Sequence, residues 1–136
     1  MKELKVDALT DNLDDVIRFV EEQLDETGCS QKKKMQLRLA IEEVFVNIAS
    51  YAYGDGKGEA RIVTDIDPEG TILKITFIDS GIPFDPLQKG DPDTTLAIEK
   101  RPIGGLGIFL VKKLMDDVDY RYSDGHNELI MVKDIS

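Results

Sequence analysis

Two helical periods stand back to back near the start of this chain, and two strand-like runs follow them directly. That order of periodicities constrains the fold more than any other feature. Asp11 or Asn12 can cap a first helix, and Leu13, Val16, Ile17, Val20 and Leu24 then recur on one face through about Glu26. Gly28 ends it, Ser30 caps a second helix reaching about Tyr53, and Gly54 stops that one. Ala60–Ile66 alternates, Thr71–Ile78 is richer in β-branched residues, and Asp67-Pro68-Glu69-Gly70 between them predicts a hairpin. Residues 2–8 alternate weakly, like a short edge strand. A third helix is expected over about 106–116, then strands Val118–Ser123 and Glu128–Asp134 around the turn Asp124-Gly125-His126-Asn127. Helices and strand pairs are mixed, so the expectation is one sheet with helices packed on one face.

At 136 residues the chain is expected to form a single domain, spanning 1–136. Folding at this size buries about two-thirds of the unfolded surface, enough for a core without metals or disulfides. Hydrophobic residues are 41% and charged residues 32%, which argues against intrinsic disorder. The single cysteine, Cys29, excludes an internal disulfide and a thiolate zinc site, and the single histidine, His126, excludes a His-rich metal site. Apolar runs are too short for a membrane-spanning helix, and Met1-Lys2-Glu3 leads into no apolar signal core, so the cytoplasm is the expected compartment. A net charge of −10 disfavours nucleic acid and anionic membrane as partners. Nucleotides are still open to an acidic protein, because backbone amides, helix N-termini and a magnesium ion do the binding locally.

Residues 80–102 differ in texture from the rest. They hold four of the five prolines, at 83, 86, 92 and 102, and little apolar periodicity. A stretch of this kind inside a compact domain is usually functional, often a lid.

Three segments carry possible chemistry. On the second helix, Glu43 and Asn47 lie one turn apart on a flank away from the apolar stripe of Leu37, Ile41, Val44, Ile48 and Ala52, while Glu42 lies on the other side. Their carboxylate and amide oxygens suit a hydroxyl proton and a hard cation such as magnesium. In Phe77-Ile78-Asp79-Ser80-Gly81 a strand ends in a carboxylate, which can accept a hydrogen bond from an exocyclic amine, and a glycine that allows close approach follows. Gly104-Gly105-Leu106-Gly107 leads into a helix whose first amides are unpaired, a natural phosphate cradle that matches neither the P-loop nor the dinucleotide fingerprint. Singly, each has an ordinary alternative: a solvated helix face, a turn, a hinge.

Taken together and in this order, the three segments resemble the motifs of the GHKL ATPase superfamily over almost the whole chain. Glu43-x-x-x-Asn47 is similar to its N box, Asp79-x-Gly81 to its G1 box and Gly105-Leu106-Gly107 to its G2 box. Asp79–Pro86, Gly104–Ile108 and Leu114–Val118 are similar to phrases of its anti-sigma factor serine-protein kinase branch. The resemblance implies the Bergerat fold: a two-layer α+β sandwich with a mixed, mostly antiparallel sheet and helices on one face. It implies Glu43 as the general base, Asn47 as a ligand of Mg2+ and of the nucleotide, and Asp79 as the reader of adenine. It also implies Gly81 as the point of close approach to the base, and Gly105, Leu106 and Gly107 as phosphate contacts through backbone amides. Residues 85–103 would form the ATP lid, with Lys100 and Arg101 as candidates for the γ-phosphate. ATP and Mg2+ are the implied cofactors. A STAS-type anti-sigma factor antagonist is the implied substrate, and a sigma factor and a second copy of the chain are further implied partners. The rival reading is a non-catalytic ATP-binding switch that sequesters a regulator; Glu43 favours the enzyme, because binding alone needs no base. Pro83 stands where many relatives have glycine, which removes an amide and fixes φ. His126 falls in a turn, unlike a histidine-kinase phosphoacceptor; Cys29 reads as an inert thiol, and Tyr51 and Tyr53 as cover for the core.

Overall fold

The computed structural model describes residues 1–54, 56–88 and 105–136. Strand β1 is Lys2–Asp7, helices α1 and α2 are Leu13–Leu24 and Gln31–Asn47, and a π-helical turn continues α2 over Ile48–Ala52. Strands β2 (Glu59–Ile66) and β3 (Ile72–Asp79) follow, then a short 3-10 turn, Pro86–Gln88. Helix α3 is Gly105–Leu114, and β4 (Asp117–Ser123) and β5 (His126–Asp134) close the chain. Gly104, Lys100, Arg101 and most of the expected lid lie outside the described residues.

The strands form one sheet in the order β1-β2-β3-β5-β4. Every ladder among the described strands is antiparallel, in line with the mostly antiparallel sheet expected, and no parallel pair occurs among those strands. Its two-residue period sorts the side chains. Ala60, Ile62 and Thr64 of β2, Leu73, Ile75 and Phe77 of β3, and Leu129, Met131 and Lys133 of β5 are all buried on one face. The helices cover that face. Val16, Val20 and Leu24 of α1, Leu37, Ile41 and Phe45 of α2, and Ile108 and Val111 of α3 complete the core. Each such side chain contributes about 1.5–3 kcal/mol when fully buried. Two polar groups on this face find helical partners: the Thr64 hydroxyl donates to Gln23 of α1, and the Lys133 ammonium donates to the Leu114 carbonyl at the end of α3.

Helix α2 lies between α1 and α3 and buries Ala40 and Phe45 as well as Leu37, Ile41 and Val44 of the expected stripe; Ile48, buried, and Ala52, partly buried, fall in the π-helical turn. Ser30 caps it as expected, its hydroxyl accepting the Lys33 amide at 3.2 Å. At α1 neither Asp11 nor Asn12 supplies the expected side-chain cap. The Asn12 amide instead donates to the Asp7 carbonyl at 2.9 Å, joining the start of α1 to the end of β1. The α-helical ladder of α2 ends at Asn47 rather than at Tyr53. The expected four-residue turn before β5 is only Asp124-Gly125, both left-handed, which is the geometry of a tight hairpin. His126 and Asn127 are therefore strand residues.

The β2–β3 hairpin is held by Asp67. Its carboxylate accepts the Thr71 amide at 2.7 Å, the Ile72 amide at 2.9 Å and the Thr71 hydroxyl at 2.7 Å. The Ile72 amide, followed by the Thr71 hydroxyl, holds the Asp67 carboxyl below the usual carboxylate range. A lowered folded-state value stabilises the fold above the unfolded carboxyl's pKa of about 3.9, and that contribution disappears as pH falls through the folded value. Asp67→Ala should accordingly lower the urea midpoint at neutral pH, with the gap to wild type closing as pH drops below about 4. A gap independent of pH would show that the charge has no part in holding the turn.

Candidate functional site

A cavity of about 480 Å³ opens between α2, α3 and the ends of β3 and β5. Phe77, Ile108, Val111 and Leu129 give it an apolar lining, and Glu43, Asn47, Asp79 and Asn127 bring polar groups to its walls. Glu43 and Asn47 reach it from one flank of α2, four residues apart; Glu42 is exposed and does not line it. Neither the Glu43 nor the Asn47 side chain has a hydrogen-bond partner among the described residues.

Asp79 ends β3 directly across from Asn127 of β5, and each is only 7% exposed. The Asp79 Oδ1 accepts the Gly81 amide and the Asn127 Nδ2, both at 2.9 Å. Its Oδ2 has no partner among the described residues. A buried carboxylate oxygen without a donor is costly, so this one calls for a hydrogen-bond donor from a bound molecule.

The sequence hides Asn127, because Asp124-Gly125-His126-Asn127 reads as turn chemistry. The available signal was its phase, since it alternates with Leu129 and Met131 on the core face of β5. Besides donating to Asp79 it donates to the Ile82 carbonyl at 3.0 Å and accepts the Phe84 amide at 3.2 Å. The Tyr120 hydroxyl donates to its Oδ1. Burial pushes the Tyr120 phenol up, so it stays protonated as a donor at neutral pH.

The segment after β3 is thereby strapped down. Ser80 donates to the Tyr53 hydroxyl at 2.9 Å, Gly81 to Asp79, Ile82 to the Ala52 carbonyl at 2.7 Å and Phe84 to Asn127. Every residue of 80–84 that has an amide hydrogen uses it, and the fifth is Pro83. The widened turn after Asn47 turns the Ala52 carbonyl toward this strap. A β-carbon on Gly81 would fall 2.1 Å from that carbonyl oxygen, so Gly81 is required by protein packing. Gly81 itself does not line the cavity.

Gly105, Leu106 and Gly107 form the first turn of α3, where amides have no intrahelical partner. Tyr53 packs against the core, as expected, but Tyr51 is 51% exposed at the cavity rim with Ile82 and Phe84. His126 lies outside the cavity, its Nδ1 2.8 Å from the Ser80 hydroxyl. Burial pushes the Cys29 thiol up, consistent with an inert side chain.

The arrangement can hold a flat, largely apolar ligand that offers a donor to Asp79 and an anion to the first turn of α3. Among the described residues no group of three or more acidic, His or Cys side chains could hold a metal. A hard cation at Asn47 would therefore need oxygens from the ligand as well, as magnesium does with phosphates. No described helix is long and apolar enough to cross a membrane.

A family model described as the histidine kinase-like ATPase domain matches residues 6–133. Serine-protein kinase RsbW of Bacillus cereus (strain AH187) is 31% identical over 108 residues, covering 76% of this chain and 66% of that protein. RsbW of Bacillus thuringiensis subsp. konkukian (strain 97-27) is 32% identical over 98 residues, covering 69% and 60%. The chain thus spans 60–66% of the length of these curated relatives. In fold, it is similar to the crystal structure of the RsbU and RsbW domains of Rv1364c from Mycobacterium tuberculosis. That match has a TM-score of 0.65 and 15% identity, over 99% of this chain and 33% of that one. The histidine kinase domain of the Erythrobacter litoralis EL346 blue-light activated histidine kinase is also similar, with TM-score 0.55 and 18% identity over 76% and 45%.

Because Asn127 joins Asp79, the strap and Tyr120, Asn127→Ala should destabilise the fold by about 1–3 kcal/mol, the cost of leaving buried polar partners unpaired. Urea unfolding measures it. A variant as stable as wild type would mean that the network is not what holds the strap.

Proposed function

The chain belongs to the histidine kinase-like ATPase family, and on that premise we propose that it is an ATP-dependent protein serine kinase and anti-sigma factor. Its substrate in this reading is a serine on a STAS-type antagonist, and its other partner a sigma factor. The observation that carries the reading is Asp79: a buried carboxylate with one oxygen meeting two protein donors and the other without a partner among the described residues, in a largely apolar cavity. The amino group of adenine is a donor of the required kind. Its apolar ring suits the Phe77, Ile108 and Leu129 lining and the exposed rim of Tyr51, Ile82 and Phe84.

Asn47 would hold Mg2+ through its amide oxygen, and the ion would neutralise phosphate charge. The first turn of α3 would present amides to the phosphates. Glu43 lines the same cavity with no protein partner among the described residues, which leaves its carboxylate available as a base. It would take the proton of the attacking serine hydroxyl. The serine oxygen forms a bond to the γ-phosphorus as the bond to the β–γ bridging oxygen breaks, and ADP leaves with that electron pair. Such a transfer needs positioning and charge neutralisation more than covalent help from the protein.

The relatives' printed name, serine-protein kinase, supports this choice over a non-catalytic switch. Binding and chemistry are separable by mutation. Asp79→Asn should weaken ATP by about 1.5–3 kcal/mol, because one acceptor facing the amine becomes a donor; calorimetry on the folded variant checks it. Glu43→Gln should keep ATP affinity and lose about 10²–10⁴-fold in transfer to a STAS-domain acceptor from labelled ATP. Asn47→Ala should weaken magnesium-dependent binding itself, and Glu42→Gln, outside the cavity, should change neither. Wild-type transfer by Glu43→Gln would remove Glu43 from the base role. No labelled acceptor with any variant or with wild type would favour the switch.

A further inference from the structure

Gly107 stands in the first turn of α3, and α3 packs against α2. What faces its α-carbon is the Glu43 side chain. A β-carbon built at Gly107 would fall 2.4 Å from Glu43 Oε2 and 3.3 Å from its Cδ. Both distances are tighter than ordinary van der Waals contact, which begins near 3.4 Å. We infer that Gly107 is a positioning residue for Glu43: the missing side chain at 107 is the space in which the Glu43 carboxylate is seated, at the N-terminal turn of α3.

The contrast with Gly81 sharpens the inference. At Gly81 the obstructing atom is a backbone carbonyl, which cannot withdraw without moving the whole turn. At Gly107 it is the far end of a flexible side chain, so an added methyl displaces the carboxylate and leaves the two helices in place. Alanine is also the better helix former by about 1 kcal/mol, which protects the fold of the variant. A carboxylate beside the first turn of a helix is favoured there by the unpaired amides, so displacement removes it from a place that suits it. The N–H of residue 107 is untouched by the substitution. A role for Gly107 through its backbone amide and a role through Glu43 therefore separate in one variant.

The inference rests on reading Glu43 as the base, and two measurements keep the claims apart. The first needs no turnover. With glutamate labelled at the δ-carboxyl carbon, the Glu43 resonance is identified by its loss in Glu43→Gln. Gly107→Ala should shift that resonance and leave the other glutamates in place; an unmoved Glu43 signal would overturn the positioning role. The second is kinetic. Gly107→Ala should keep magnesium-ATP affinity within about twofold and lower the transfer rate about 10- to 100-fold, the scale of a base misplaced by about 1 Å. Shortening the base in the same background, as Gly107→Ala with Glu43→Asp, should recover part of that rate by withdrawing the carboxylate from the methyl. Independent, multiplying losses in the double variant, or a large loss of ATP affinity in Gly107→Ala alone, would assign Gly107 to the phosphates and overturn the inference. If Glu43→Gln transfers at the wild-type rate while its resonance still moves in Gly107→Ala, the seat stands and the base assignment falls.

Discussion

The buried Asp79–Asn127 pair is the interaction on which the rest of the site depends. A carboxylate at 7% exposure is tolerated only where donors meet it. Here the protein supplies two, both to the same oxygen. The antiparallel register of β3 and β5 places the two residues opposite each other, so the pairing follows from sheet geometry and needs no loop. Asn127 is itself satisfied by Tyr120, Phe84 and Ile82, which spreads the cost of one buried charge over a network. The second carboxylate oxygen has no donor among the described residues, and it is this oxygen that the proposed reading gives to a ligand.

The strap after β3 turns that pair into a wall. Its amides are spoken for by Tyr53, Asp79, Ala52 and Asn127, and proline occupies the position that has none. The π-helical turn after Asn47 has a physical role in this arrangement. By leaving the α-helical ladder, the chain brings the Ala52 carbonyl to Ile82 and lets the Gly81 backbone pass against it. Widened turns of this kind recur at functional sites. On the opposite side of the cavity, α2 presents Glu43 and Asn47 because its apolar residues are taken up by α1, α3 and the sheet.

Much of this was legible in the residues. The switches between helical and two-residue periods locate the five strands and helices α1 and α3 to within about two positions, and the start of α2. The four-residue spacing of Glu43 and Asn47 placed them on one flank, away from Glu42. What stayed hidden was tertiary. Asn12 has the chemistry of a cap, but the Asp7 carbonyl competes for its amide. Asn127 looked like a turn residue because its partners, Asp79 and Tyr120, come from two other strands. The helical pattern runs on past Asn47 because nothing local to residues 48–52 announces the strap that draws on Ala52. Gly81 read as ligand space and serves the packing of two backbone segments. Gly107 reads in the sequence as a backbone-amide contact for phosphate, and nothing local to it announces that a β-carbon there would meet the Glu43 side chain of α2.

In the proposed reading the Asp79 oxygen that lacks a partner among the described residues recognises an amino group on a purine. Calorimetric titration of the wild-type chain with magnesium-ATP and with magnesium-ITP, whose purine carries a carbonyl oxygen in place of the amino group, tests it most directly. ITP should bind about 10- to 100-fold more weakly than ATP, the value of one charged hydrogen bond lost at a buried acceptor. Equal affinity for the two nucleotides would contradict it.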